Sequence, residues 1–147
     1  MILADEAATL ALGAKLAAQA GAGDVITLSG DLGAGKTTLA RGVLAALGLE
    51  GEAPSPTFAI VQTYALPETR MPVAHIDLYR VEDAGEAEEL GLDDLRFDHL
   101  LLVEWPERLG AQMWQDALRL RIEAAGEGGR RLTAEVPPSW EGRWPPA

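Results

Sequence analysis

The amino-acid sequence predicts an α/β domain, and three observations carry that expectation. Val25 to Ser29 is a β-rich, mostly apolar run of the kind a buried parallel strand shows. A glycine-rich turn, Gly30 to Gly35, follows it at once and leads into a stretch of good helix formers, Lys36 to Leu47. Further β-like runs then fill much of the remaining chain, and a strand, a turn and a helix followed by more strands is α/β order.

Each element has a local reason. Residues 5 to 20 read as a helix, with Asp5 as its cap, Ala and Leu filling it, and Gly21 stopping it. Gly48 closes the helix that begins at Lys36, and the Gly- and Pro-rich stretch 48 to 56 is a loop. Thr57 to Leu66 and Met71 to Arg80 are rich in branched and aromatic residues. The turn-type residues Pro67 to Arg70 separate them, so a hairpin is expected. Asp83 to Leu90 reads as a short acidic helix. Asp83 and Glu86 have the spacing of a capping box, with Gly91 as the stop. His99 to Trp105 is a second buried-strand pattern, broken by Pro106. Ala117 to Glu123 and Arg131 to Val136 alternate apolar with polar around Gly126, Gly128 and Gly129, which makes a second hairpin. The expected organisation is one domain over residues 1–136 and a loosely held Pro/Trp-rich tail over 137–147.

Composition narrows the function classes. With 147 residues and 48% hydrophobic residues, the chain suits one globular domain. No apolar run approaches the ~18 to 20 residues of a membrane span, and the N-terminus lacks the pattern of a signal peptide. A cytoplasmic protein without a membrane role is the simplest reading. There is no Cys, which excludes disulfides and thiolate metal sites. The net charge of −11 argues against unaided binding to a phosphate backbone. Arg119, Arg121, Arg130 and Arg131 are the candidates for a local basic patch, against the plainer reading of a solvated strand face.

The chemistry concentrates in Gly30-Asp31-Leu32-Gly33-Ala34-Gly35-Lys36-Thr37, which fits G-x-x-x-x-G-K-[ST]. Glycines let the backbone curl so that successive N–H groups face a β-phosphate, and the following helix adds its positive end. Lys36 neutralises charge between the β- and γ-phosphates, and the Thr37 hydroxyl is placed to ligate Mg²⁺. Such a loop needs a carboxylate for the metal and a group to order water. Glu104 ends one apolar run and Asp77 lies in another. Ligands bind beyond the carboxyl ends of strands in open α/β sheets, so Glu104 is expected near the loop. The plainer alternatives are a surface acid for Glu104 and a simple pair with Arg80 for Asp77. Thr57, in Ser55-Pro56-Thr57, occupies the position where switch proteins sense a γ-phosphate, or it begins a strand after a turn. Trp105 packs near the nucleotide or anchors the sheet.

ATP is the expected nucleotide. The guanine-reading N-K-x-D is impossible without Asn, and D-x-x-G is missing. A small-molecule kinase is the enzymatic rival, but it wants an arginine-bearing lid for which the chain is short. A non-catalytic, nucleotide-dependent interaction module is the third reading.

Four blocks in order give a resemblance: Gly30 to Thr38; Ser55-Pro56-Thr57; His75-Ile76-Asp77-Leu78-Tyr79-Arg80; and Val103-Glu104-Trp105-Pro106. The chain resembles the TsaE family, small P-loop ATPases of bacterial tRNA threonylcarbamoyladenosine biosynthesis, over roughly residues 3 to 135. The resemblance implies a single P-loop NTPase domain. Its central sheet would be mostly parallel, with antiparallel strands at one side and helices on both faces. It implies that Lys36 and the loop amides, Thr38 included, hold phosphates, and that Thr37 and Glu104 ligate Mg²⁺. Asp77 would be the acid near the γ-phosphate, Thr57 the switch Thr and Trp105 the Trp beside the site. Adenine contacts would fall on Glu6 or Thr9 and on Gly129 or Arg130. The implied partners are the proteins TsaB and TsaD, with tRNA engaged only indirectly. Hydrolysis by the chain alone is expected to be slow, since no arginine finger is evident in it.

Overall fold

The computed structural model describes residues 1–31, 33–51 and 61–146. Strands β1 (Ile2–Leu3), β2 (Val25–Ser29), β3 (Val61–Tyr64), β4 (Val73–Asp77), β5 (Leu100–Glu104), β6 (Leu118–Ala124) and β7 (Arg130–Glu135) form one sheet. Its order is β1-β7-β6-β2-β5-β4-β3. The four central strands β6, β2, β5 and β4 pair in parallel. Antiparallel pairs lie at both edges, β7 and β1 on one and β3 on the other, where the sequence reading placed them at one side.

Helices α1 (Glu6–Gln19) and α2 (Lys36–Ala46) cover one face. The short helices α3 (Ala84–Glu88) and α4 (Leu92–Arg96), with the 3-10 segment Pro106–Gln112, contribute to a second core on the other. Side chains alternate across a strand. Ile26, Leu28, Leu100 and Leu102 therefore join the first core, and Val25, Leu101 and Val103 join the second. The expected caps form: Asp5 accepts from the Ala8 amide at 2.8 Å, and Asp83 accepts from the Glu86 amide at 2.9 Å. The Glu86 carboxylate, however, accepts from the Glu82 amide at 2.7 Å rather than from that of Asp83. Gly91 ends α3 and also opens α4, which periodicity did not reveal.

The two long helices cross in backbone contact. A Cβ on Gly13 would lie 2.8 Å from the Gly42 backbone, and one on Gly42 would lie 2.7 Å from the Leu10 carbonyl oxygen. Any larger residue must push α1 off α2. This crossing brings the start of α1 beside the start of α2.

The C-terminal segment is not loosely held. Trp140 is completely buried in the α1/α2 core. Arg143 stacks on its ring at 3.9 Å and donates to Asp24 at 2.7 Å and to the Gln19 carbonyl at 3.0 Å. The apolar area of one buried Trp outweighs terminal position and Pro content, contrary to the expected loosely held tail. No helix among the described residues is long and apolar enough to cross a membrane.

Candidate functional site

The last residues of β4 and β5, Asp77 and Glu104, are register partners, and both are buried. The loop after β2 meets them at the same end of the sheet. Gly30 opens that loop at φ 139°, and a Cβ there would fall 2.2 Å from the Ile122 carbonyl oxygen. Only glycine fits this position. Gly33, Gly35, Lys36, Thr37, Thr38, Asp77, Glu104, Trp105 and Arg130 line one pocket of about 210 Å³. Asp31 and Ala34 belong to the loop, joined by the Ala34 amide donating to the Asp31 carbonyl at 3.1 Å. Leu32 and Thr57 lie outside the described residues.

Lys36 is nearly buried. Its ammonium donates to the Gly30 carbonyl and, at 3.0 Å, to the Asp31 carbonyl, and it sits 4.3 Å from the centre of a Trp105 ring. Burial lowers the Lys36 pKa below its ordinary 10.5, against an opposing pull from Glu104, Glu107, Asp77 and Asp31. Trp105 reaches this place from a left-handed backbone, φ 59°, uncommon for a bulky residue and characteristic of functional sites. Its ring leans on Tyr79, centroids 5.0 Å apart. Trp105 thus lines the pocket and also packs against the second core.

The Thr37 hydroxyl donates to Glu104 Oε1 at 2.9 Å. The same hydroxyl lies 3.2 Å from Oε2, and His75 Nε2 lies 2.6 Å from Oε2. Asp77 accepts from the Tyr79 amide at 2.9 Å, which turns the chain after β4. Among the described residues no group of three or more His, Asp and Glu could hold a metal by itself. The oxygens of Thr37 and Glu104 are hard donors side by side, as Mg²⁺ requires when other ligands come from phosphate and water. These two residues therefore fit the ion.

A second cleft, of about 170 Å³, adjoins the first and shares Gly35, Thr38 and Arg130 with it. Asp5, Glu6, Thr9 and Gly128 complete it. Of the residues expected on this side, Glu6, Thr9 and Arg130 come together here. Gly129 does not line the cleft; it turns the hairpin, and its carbonyl accepts from Arg130 at 2.9 Å. Arg130 also donates to the Gly33 carbonyl at 3.3 Å, tying the hairpin to the loop. Of the four arginines, Arg131 shares the exposed sheet face of Arg119 and Arg121, its register partner being Glu123, so that face carries both signs of charge. Arg119 and Arg121 project from the sheet face opposite Leu118, Leu120 and Ile122, paired with Glu135 at 3.5 Å and Glu123 at 3.1 Å, while Arg130 turns to the loop.

The sequence reading gave His75 no role. The available signal was a polar residue inside a fully buried strand, two positions before Asp77 and so on the same face.

Fold and site together define a mixed α/β protein with a strand, glycine-rich loop and helix aimed at paired strand-end carboxylates. The particular family follows from comparison. The family model described as threonylcarbamoyl adenosine biosynthesis protein TsaE matches residues 3–132. A Streptomyces coelicolor protein named tRNA threonylcarbamoyladenosine biosynthesis protein TsaE is 44% identical over 115 residues, 78% of each chain. A Bacillus subtilis protein of the same name is 42% identical over 126 residues, 85% of this chain and 77% of that one. The crystal structure of Bacillus subtilis YdiB superposes with a TM-score of 0.81 at 33% identity, covering 97% of this chain and 88% of that one. The chain belongs to the TsaE family.

Proposed function

We propose that this protein binds Mg·ATP in the Lys36 pocket and hydrolyses it slowly. We further propose that it is an accessory protein for the threonylcarbamoyladenosine modification of tRNA, acting with TsaB and TsaD. The pathway assignment rests on family membership. The convergence of Lys36, the Thr37–Glu104 pair and Asp77 at one sheet end supports the ATP reading. Charge supports the metal. Asp77 and Glu104 would repel a triphosphate that met Lys36 and Arg130 alone, and a divalent cation restores the balance.

In this reading the Gly33 to Thr38 backbone holds phosphate oxygens, and Lys36 leaves the Gly30 and Asp31 carbonyls for the β- and γ-phosphates. Thr37 and Glu104 hold Mg²⁺, which supplies charge neutralisation along the phosphates when bound. Asp77 faces the γ-phosphate end and orients the attacking water. Glu6, Thr9 and Arg130 border the nucleoside, and Trp105 covers the Lys36 side. Among the described residues Arg130 is the arginine lining the pocket, and it is hydrogen-bonded to the Gly33 and Gly129 carbonyls rather than extended as a finger, which supports slow turnover alone.

The test is ATP hydrolysis by the purified protein, alone and with TsaB, TsaD and tRNA, with Lys36→Ala as control. Slow turnover that rises with the partners and vanishes in Lys36→Ala supports the proposal. Rapid turnover with no partner contradicts the accessory role. Transfer of the γ-phosphate to a small acceptor instead of water would establish a kinase. ATP binding with no hydrolysis under any of these conditions would leave an interaction module.

A further inference from the structure

His75 is the one strongly polar side chain inside β4 besides Asp77, and no accessible surface remains to it. A charged or hydrogen-bonding group is not placed there for solubility. Its Nε2 meets Glu104 Oε2 at 2.6 Å, while Glu104 Oε1 accepts from Thr37 at 2.9 Å. Thr37 also reaches Oε2, at 3.2 Å, so the carboxylate is held by β4 through His75 and by α2 through Thr37. A carboxylate only accepts, so Nε2 carries the proton. Among the described residues His75 Nδ1 has no hydrogen-bond partner, and the hydrogen bond of the imidazole goes to Glu104. A carboxylate hung on three rotatable bonds swings freely unless something fixes its plane. Fixing that plane toward Thr37 is what a metal-ligand pair needs, since outer partners of metal ligands hold their orientation.

We propose that His75 is a positioning residue: by donating from Nε2 to Glu104 it fixes the carboxylate against Thr37 and so sets the affinity of the site for Mg²⁺ in the presence of ATP. The inference rests on the Mg·ATP reading above.

The experiment uses the full chain and reads binding, not turnover. ATP binding is measured by calorimetry across a Mg²⁺ titration and again in EDTA, for wild type, His75→Leu, His75→Gln and His75→Asn. Gln places an amide N–H where Nε2 stands, and Asn stops short of it. Thermal melts show which variants fold. His75→Leu is expected to raise the Mg²⁺ midpoint about tenfold, with ATP affinity in EDTA within about twofold of wild type. His75→Gln is expected to recover most of the loss and His75→Asn little of it. If His75→Leu does not fold, the Gln and Asn pair decides the matter by the same comparison. A midpoint unmoved in folded His75→Leu, or Gln no better than Asn, overturns the proposal. Equal losses in EDTA and in Mg²⁺ show a merely structural histidine and overturn it too. Wild type that binds ATP without any response to Mg²⁺ is a different failure: it removes the metal reading itself, and the positioning role falls with it.

Discussion

The Lys36 pocket and the Arg130 cleft lie side by side and share three residues, yet they are built in opposite ways. The pocket is made chiefly by one contiguous loop and two neighbouring strand ends, with Arg130 reaching in from β7, and Lys36, Thr37 and Glu104 are hydrogen-bonded within it. The cleft is made by the first turn of α1 and the tip of the β6–β7 hairpin, segments more than a hundred residues apart in the chain. Contiguous residues fix a loop geometry directly, so a phosphate-binding pattern can be read as text. A cleft between distant segments exists only because helices and sheet pack in one way, and its lining carries no pattern of its own.

The comparison is broken most sharply at Lys36. Lys36→Ala removes the ammonium from the pocket and leaves the cleft intact. ATP affinity measured by calorimetry should fall about a hundredfold, as loss of charged hydrogen bonds worth ~1.5 to 3 kcal/mol requires. Stability should respond to pH in a definite direction. Burial lowers the folded-state pKa, so between that value and 10.5 the unfolded chain holds more protons, and wild-type stability rises as pH climbs through this window. Lys36→Met, which cannot titrate, should lack that rise in thermal melts.

The helix crossing comes next. Gly42→Ala forces a methyl into the Leu10 backbone and should cost about 1 to 3 kcal/mol of stability by denaturant unfolding. Because α1 carries the cleft and α2 the pocket, ATP binding should weaken through displacement of Glu6 and Thr9 even though no pocket residue is changed.

Arg130 separates the two regions more finely. Arg130→Ala should weaken ATP binding about tenfold, within the range of a lost charge-assisted bond, while leaving the Mg²⁺ midpoint unchanged. A shifted midpoint would show that the cleft and the metal pair are not independent.

The smallest effect belongs to a control outside both regions. Arg96 holds the Asp116 carboxyl below its usual 3.8. Its contribution is present above that value and is lost as pH falls through the lowered one. Both groups are partly solvated, so Asp116→Ala should cost no more than about 0.2 to 1 kcal/mol near neutral pH and leave ATP binding untouched.

Legibility in the sequence followed the same division. β2, the loop, α2 and the carboxylate Glu104 were readable because apolar runs, glycines and one lysine stand in local order. That Asp77 sits beside Glu104 needed the β4–β5 register. His75 stood in view inside a recognisable block, but its partner is 29 positions away and only pairing identifies it. Glycine inside a helix ordinarily costs stability, yet in the fold Gly13 and Gly42 are the contact itself. β1 is two residues long, too short for periodicity, and it exists because Ile2 and Leu3 pair with Arg131 and Arg130. Trp140 was illegible for the same reason: the core that buries it is a product of α1, α2 and the sheet, not of the tail.

A crystal structure with Mg²⁺ and a non-hydrolysable ATP analogue tests the Mg·ATP reading most directly. Phosphates are expected on the Gly33 to Thr38 backbone, the ion between Thr37 and Glu104, and the base in the cleft beside Glu6, Thr9 and Arg130. A triphosphate bound away from Lys36, or an ion that touches neither Thr37 nor Glu104, would contradict it.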